Sequence, residues 1–328
     1  MIYAPVCITT LNRYEHLRKC LESLSRCSWA DHTEVYVALD YPPLSKWDFY
    51  APGWEKNKDF LHSCGNMGFK QLHVIEREEN YGTWNPGDRG NMKCLLKDIR
   101  SRYDRYIATE DDNIFAPCFL EYMDKGLDLF KDDKNVLCLT GYRLYFTPPV
   151  RFDQNTFTRT IVDYIPWGIG HWTEKVENLP HLDYKWHRKQ LTYKNVKYLR
   201  NGISLGAVCK LVNQSCATKR NIIIDVNMLA YMALEKKQLI FPKQTLVENI
   251  GFDGSGASMG DSQGAEWCDS QLNPLSTEEH FDFIGTGYEY FEENQKIYGA
   301  GKYFKTDREY RRILIRKLAK LILHWRKP

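Results

Sequence analysis

Apolar and polar positions fall into alternating blocks along the first half of the chain. "APVCITT" is a short continuous apolar run, the pattern of a strand buried on both faces. It leads into "NRYEHLRKCLESLSRC", where Leu17, Leu21 and Leu24 recur at the spacing of one helix face. "EVYVALD" and "QLHVIER" repeat the strand pattern and "MKCLLKDI" the helical one. "DRYIATEDD", the helical "FLEYMDKGLDLF" and the strand-like "NVLCLTGY" follow. This alternation predicts an α/β fold with a mainly parallel sheet flanked by helices. Such sheets bind ligands beyond the carboxyl ends of their strands. Asp40, the loop after Glu76, and Glu110–Asp112 all fall at such ends.

The second half is less regular and richer in aromatics and glycine, as in "IPWGIGHW", "NIIIDVNMLAYMALEKKQ" and "NIGFDGSGASMGD". Without a repeat or linker, residues 1–305 are expected to form one domain. Its nucleotide-type half spans 1–145, and 146–305 complete the cleft. The last stretch, 306–328, differs. Leu314, Leu318, Leu321 and Trp325 recur at spacings of four, three and four, Ile315 and Ile322 widen the stripe, and Arg and Lys fill the positions between. This is a basic amphipathic helix, suited either to an anionic membrane surface or to docking on the protein's own core.

Composition narrows the classes. The 328 residues carry a net charge of +3, which gives no polyanion signal for the whole chain. The charge is uneven: residues 311–328 hold seven basic residues and no acid, so the remainder nets −4. No nucleic-acid-binding module accompanies that tail, and no nucleic-acid partner is expected. The ten cysteines form no C-x-x-C pair and no tight Cys/His cluster, which argues against zinc. Cys7 and Cys138 lie in apolar strand-like runs, where thiols pack as small hydrophobes, pointing to a reducing compartment. The opening segment looks like a first core strand rather than a signal peptide. No stretch approaches the ~20 apolar residues of a membrane span.

Four motifs carry candidate chemistry. Glu110, Asp111 and Asp112 place three like charges where a strand ends, a costly arrangement unless water or a positive partner covers them. If the strand stays extended, Glu110 and Asp112 share one direction. One or two carboxylates there suit Mg²⁺ or Mn²⁺ on a diphosphate; a solvated helix cap is the other reading. "NYGTWNPGDRGNMKCLLKDI" sets Gly82, Gly87 and Gly90 before a helix, with Arg89 within reach of a phosphate, yet it matches neither G-K-[ST] nor G-x-G-x-x-G. Asp225, after three isoleucines and before a helical run, is either an N-cap or a proton acceptor. "VENIGFDGSGASMGDSQG", with Ser255 and Ser258, is either a surface loop or one that closes over a ligand.

Taken in order, these motifs resemble nucleotide-sugar-dependent glycosyltransferases of the GT-A (Rossmann-like) fold. They look closest to the N-acetylglucosaminyltransferase-I-like group and bacterial, family-2-like sugar transferases of polysaccharide synthesis. "APVCITTLNRYEHLRKCLESL" is similar to that family's first strand and helix, and "NYGTWNPGDRG" to its donor-side Asn-x-Gly loop. "ATEDDNIFAPCFLEYM" resembles the Glu-Asp-Asp form of its metal motif, and "IPWGIGHW" its acceptor-side segment. "IDVNMLAYMALEKKQLIFPKQTLVENIGFDGSG" is similar to its catalytic block. The resemblance covers roughly residues 3–260.

It implies that Asp112 ligates Mn²⁺ or Mg²⁺ on the diphosphate of a nucleotide-sugar, expected to be UDP-linked. It implies that Glu110 and Asp111 hold the ribose or the metal's water shell. Thr9, Asn12, Arg13, Asp40, Asn80, Gly82 and Arg89 would contact the donor, and Ser255 and Ser258 would close over it. Asp225 would be the catalytic base of an inverting hexosyl- or N-acetylhexosaminyl-transferase. Val226 and Asn227 depart from the family pattern just after that base. The acceptor would be a glycan or lipid-linked glycan of surface polysaccharide, reached from the cytoplasmic face of the plasma membrane with 306–328 as a peripheral contact. The alternative is a degenerate, non-catalytic glycan- or nucleotide-sugar-binding protein. A nucleotidyltransferase would need a Gly-rich basic loop after the first strand, where "TTLNRYEH" stands.

Overall fold

Strand β1 (Val6–Thr10) shows why the pattern folds as it does: Val6 and Ile8 point to one face of the sheet, Cys7 to the other, and all three are fully buried. The same alternation runs through β2 (Glu34–Leu39), where Val35, Val37 and Leu39 join Val6 and Ile8 while Tyr36 and Ala38 join Cys7. In this computed structural model the described residues are 2–82, 90–143, 149–161, 163–202, 224–256 and 273–301, with a few isolated positions between and beyond them. At 201–202, 224–226 and 298–301 the backbone alone is described.

β3 (Gln71–Glu76), β4 (Arg105–Glu110), β6 (Val136–Thr140), β7 (Phe157–Thr160), β8 (Ile169–Trp172) and β9 (Gln238–Pro242) complete an eight-stranded sheet of order β3-β2-β1-β4-β8-β6-β9-β7. β8 and β7 run against the rest. The fold is therefore α/β with a mixed, mainly parallel sheet. On one face lie α1 (Tyr14–Ser25) and α4 (Phe119–Leu129), through Leu17, Leu21, Leu24, Phe119 and Met123. Each buried leucine or phenylalanine there contributes about 1.5–3 kcal/mol. On the other lie α3 (Asn91–Arg100), through Leu95 and Ile99, and a later helix through Met228 and Met232.

Helix α2 (Trp47–Ser63) fills the β2–β3 crossover, with Pro52 near its start. The second half adds α5 (Thr173–Glu177), α6 (Tyr184–Gln190), α7 (Tyr193–Gly202), α8 (Ile224–Glu235) and α9 (Phe291–Gly301). A two-stranded antiparallel ladder joins β5 (Asn113–Phe115) to β10 (Val247–Asn249). Among the described residues no helix is long and apolar enough to cross a membrane. Of 306–328, Arg312, Ile315, Arg316 and Ala319 are described as helical and exposed; the rest of that expected helix lies outside the described residues.

One core acid has a measurable consequence. Asp124 on α4 is fully buried, its Oδ1 accepts the Ala4 N–H at 2.8 Å, and its Oδ2 has no partner among the described residues. Burial pushes its carboxyl up to about 7; the Ala4 amide and Arg105 oppose that rise and Asp128 adds to it. The folded protein thus keeps this proton to higher pH than the unfolded chain, so its contribution is complete below about pH 4 and is lost as pH rises through about 7. At 1.36 kcal/mol per pH unit, the loss is up to about 4 kcal/mol. Asp124→Asn is expected to flatten the fall in urea-unfolding free energy between pH 4.5 and pH 8. Equal pH slopes in variant and parent would refute this.

Candidate active site

The strand order reverses around β1. From it the chain steps outward to β2 and β3 on one side and to β4 on the other, leaving a crevice beyond the carboxyl ends of β1 and β4. β1 delivers Thr10 and then the turn into α1 that carries Arg13. β4 stops at Glu110, sooner than the run "DRYIATEDD" suggests, so Asp111 and Asp112 leave in a turn. The face alternation expected to align Glu110 with Asp112 therefore does not reach Asp112.

Instead Asp111 and Asp112 converge on Arg13. Its Nη1 donates to Asp112 Oδ2 at 2.8 Å and its Nη2 to Asp111 Oδ1. Thr10 Oγ1 donates to Asp111 Oδ2 at 2.7 Å and itself accepts Asn57 Nδ2 at 3.1 Å. Asn249 Nδ2 donates to Asp112 Oδ1 at 2.9 Å and to Asn113 Oδ1 at 3.0 Å. Asp111 and Asp112 are only 3% and 6% exposed, so these contacts replace water. Burial pushes the Asp111 carboxyl up, the Arg13 charge pulls it down, and Asp112 pushes it up again. For Arg13, burial works against the charge, but the two aspartates prevail and its pKa rises. Removing one partner of such a buried network typically costs about 3–5 kcal/mol.

The glycine-rich loop after β10 lies directly on these acids. Ile250 N donates to the Asp112 carbonyl at 2.8 Å, and Gly251 N to Asn249 Oδ1 at 2.9 Å. A Cβ at Gly251 would stand 2.1 Å from Asp112 Oδ2, so no larger residue fits without moving the loop or the carboxylate. Further along, Asp253 Oδ2 lies 3.2 Å from His16 Nε2, and Asp253 Oδ1 accepts both the N–H and the hydroxyl of Ser255. Trp167, in the turn before β8, packs against Phe252 with ring centroids 5.6 Å apart. Part of "IPWGIGHW" thus reaches the crevice, while Ile169–Trp172 is a buried interior strand.

A second cluster sits at the end of β2. Asp40 Oδ1 accepts the N–H groups of Tyr41 (2.9 Å) and Tyr81 (2.8 Å), and Oδ2 accepts Gly82 N (2.8 Å). Gly82 has φ +68°, a conformation that favours glycine. Asn80 Nδ2 donates to the Tyr41 carbonyl at 2.5 Å. Burial pushes the Asp40 carboxyl up; the three amides and Arg77 pull it back. Asp40 therefore ties the Asn80–Gly82 segment to β2 through both its oxygens.

Thr9 pairs in register with Glu110, and both are half-buried; Thr10, rather than Thr9, bonds to Asp111. Asn12 supplies a carbonyl that Gly53 approaches so closely that a Cβ there would lie 2.1 Å from it. Arg89 and Ser258 lie outside the described residues, as does the Asp225 side chain. The backbone of Asp225 is in the first turn of α8. α8 joins β9 by a tight turn in which Lys237 N donates to the Met232 carbonyl, and it packs on the sheet through Met228 and Met232. β9 runs parallel to β6, and both run with β1 and β4. Sequence reasoning missed Thr10, Asn57, Asn249 and His16. Asn57 left one signal, an amide on the buried side of α2 among Ala51 and Leu61.

Oxygen donors at a strand end suit a hard divalent cation. Among the described residues, however, no group of three His, Cys, Asp or Glu side chains could hold a metal. A cation at Asp112 would therefore need its remaining positions filled by phosphate oxygens or water.

No family model matches the chain, and no curated protein matches its sequence. Among solved structures it is similar to S. aureus TarS at 10% identity and a TM-score of 0.40, over 77% of this chain and 37% of that one. It is similar to TarS 1–349, also solved with UDP and with UDP-GlcNAc, at 12% identity and a TM-score of 0.38 over 75% and 60%. The mannosyltransferase PcManGT from Pyrobaculum calidifontis, solved with GDP-Man and Mn²⁺, gives 16% identity and a TM-score of 0.30 over 42% and 34%. The chain thus spans less than two thirds of each of these structures.

Proposed function

We propose that this protein is a metal-dependent, inverting glycosyltransferase that moves a sugar from a nucleotide-sugar, UDP-linked by preference, to a hydroxyl of a glycan or lipid-linked glycan. The observation that carries this reading is the meeting of Arg13, Asp111 and Asp112 with the Asn249–Gly251 loop at the reversal of strand order. It unites motifs from both halves in the one crevice where such sheets bind nucleotides.

Asp112 would hold Mn²⁺ or Mg²⁺, which supplies positive charge for the departing diphosphate. Asn249 fixes the orientation of that carboxylate, and the loop at Gly251 shields it from water. Asp225 accepts the proton of the acceptor hydroxyl as the oxygen attacks the anomeric carbon from the side opposite the leaving group. The new C–O bond forms as the bond to the diphosphate oxygen breaks, and the anomeric configuration inverts. The test is nucleotide release from a panel of UDP- and GDP-sugars, with Mn²⁺ and with EDTA. Absence of metal-dependent turnover with every donor would favour a non-catalytic binding protein.

Gly251→Ala is expected to lower kcat/KM for the donor by about 100-fold, because displacing the loop or Asp112 by about 1 Å misplaces the reacting groups. Parent-like kinetics would show that the close approach has no role in turnover. For the basic tail, deletion of 306–328 is expected to release the protein from anionic vesicles and to spare activity on a soluble acceptor. If the full chain already ignores such vesicles in co-sedimentation, the peripheral-membrane role fails.

A further inference from the structure

The two aspartates that would receive a metal already have a cation. All four of their carboxylate oxygens hold a donor: Thr10 and Arg13 on Asp111, Arg13 and Asn249 on Asp112. The guanidinium bridges both groups from the start of α1, and the pair is almost wholly removed from water.

We infer that Arg13 is a resident counter-ion that keeps divalent metal off Asp112 until a diphosphate is present to take the guanidinium. The inference deepens the transferase reading and rests on it for the identity of the diphosphate. Two buried carboxylates with one guanidinium leave a single net negative charge. A bare Mn²⁺ entering there must approach within a few ångströms of a like-charged guanidinium or expel it from its only described anionic partners. A diphosphate changes this balance. It brings oxygens that complete the metal's coordination, and phosphate is a good bidentate partner for a planar guanidinium. Arg13 can then pass from Asp112 to the diphosphate while the cation takes its place on the carboxylate. Lysine would do this less well, being a point charge without the fork that spans both acids.

By linkage, nucleotide raises metal affinity by the same factor as metal raises nucleotide affinity. Arg13 makes part of that factor by penalising metal alone. The experiment is a direct Mn²⁺ titration of the full chain, read by the loss of free-Mn²⁺ electron paramagnetic resonance signal, with and without UDP. Parent, Arg13→Gln and Arg13→Lys are compared, each first checked for native circular dichroism.

Expected results are that Mn²⁺ alone binds Arg13→Gln about 10-fold or more tightly than the parent, with Arg13→Lys between them. The tightening caused by UDP should be correspondingly smaller in Arg13→Gln. Should Arg13→Gln fail to fold, Arg13→Lys carries the same comparison. Equal affinity of parent and variants for Mn²⁺ alone would overturn the counter-ion role. Failure of UDP and GDP to bind any form, with or without Mn²⁺, would instead overturn the transferase reading, while the Mn²⁺-alone comparison would still decide the role of Arg13.

Discussion

Asp225→Asn is expected to lower sugar transfer by about 10³-fold while leaving Mn²⁺-dependent nucleotide binding within about twofold of the parent. Loss of a positioned general base typically costs 10²–10⁴ in rate, and the amide cannot accept the acceptor's proton. Nucleotide binding should survive because Arg13, Asp111, Asp112 and the Asn249–Gly251 loop come from other parts of the chain. Single-turnover transfer and nucleotide titration on the same preparation separate the two effects. Equal transfer rates in variant and parent would remove Asp225 from the chemistry.

Asp112→Asn is expected to act at the donor instead. Both Mn²⁺-dependent nucleotide binding and transfer should fall, the latter by about 10³-fold, because the amide has no charge for the cation and must also face Arg13 Nη1. The fold should persist, since Arg13 keeps Asp111 and Asn249 keeps its bond to Asn113. Isothermal titration with UDP and Mn²⁺ reads the first effect and donor turnover the second. A variant that binds UDP with Mn²⁺ as tightly as the parent would exclude Asp112 as the metal ligand. The contrast between the two substitutions, one silent in binding and one not, is the clearest signature of the proposed division of labour.

Periodicity made the first half legible because each element there buries its face against an adjoining strand or helix. The runs holding Val6–Ile8 and Leu17–Leu24 meet in one core, as their spacing requires. Helix α2 was not legible: its buried positions, Ala51, Asn57 and Leu61, make a sparse stripe, and Pro52, inside the helix in its second turn, reads as a breaker. The antiparallel insertion of β8 between β4 and β6 is a pairing between distant segments and leaves no local mark.

The acids of the site were visible as residues, but their partners were not. The question raised by "TEDDN", what balances the charge, has its structural answer in Arg13, roughly a hundred positions away. Asn249 is farther still. Asp40 shows the same gap between a residue and its partners: the sequence marks an acid at a strand end, and its oxygens hold backbone amides of a segment some forty positions on. Asp111 and Asp112 have the burial and positive partner that a solvated cap lacks.

The small β5–β10 ladder has a consequence for motion. It pairs Asn113 with Asn249, so the acid turn and the base of the covering loop are stitched together just beside Asp112. Any opening of the loop must hinge beyond Gly251 or unzip the ladder. Amide hydrogen exchange would register the difference: Ile250, whose N–H is held by the Asp112 carbonyl, should exchange with the slow core, and the exposed Asp253 and Gly254 with the surface. The stretch that anchors the acids and the exposed residues beyond it would then be separate kinetic units within a single motif.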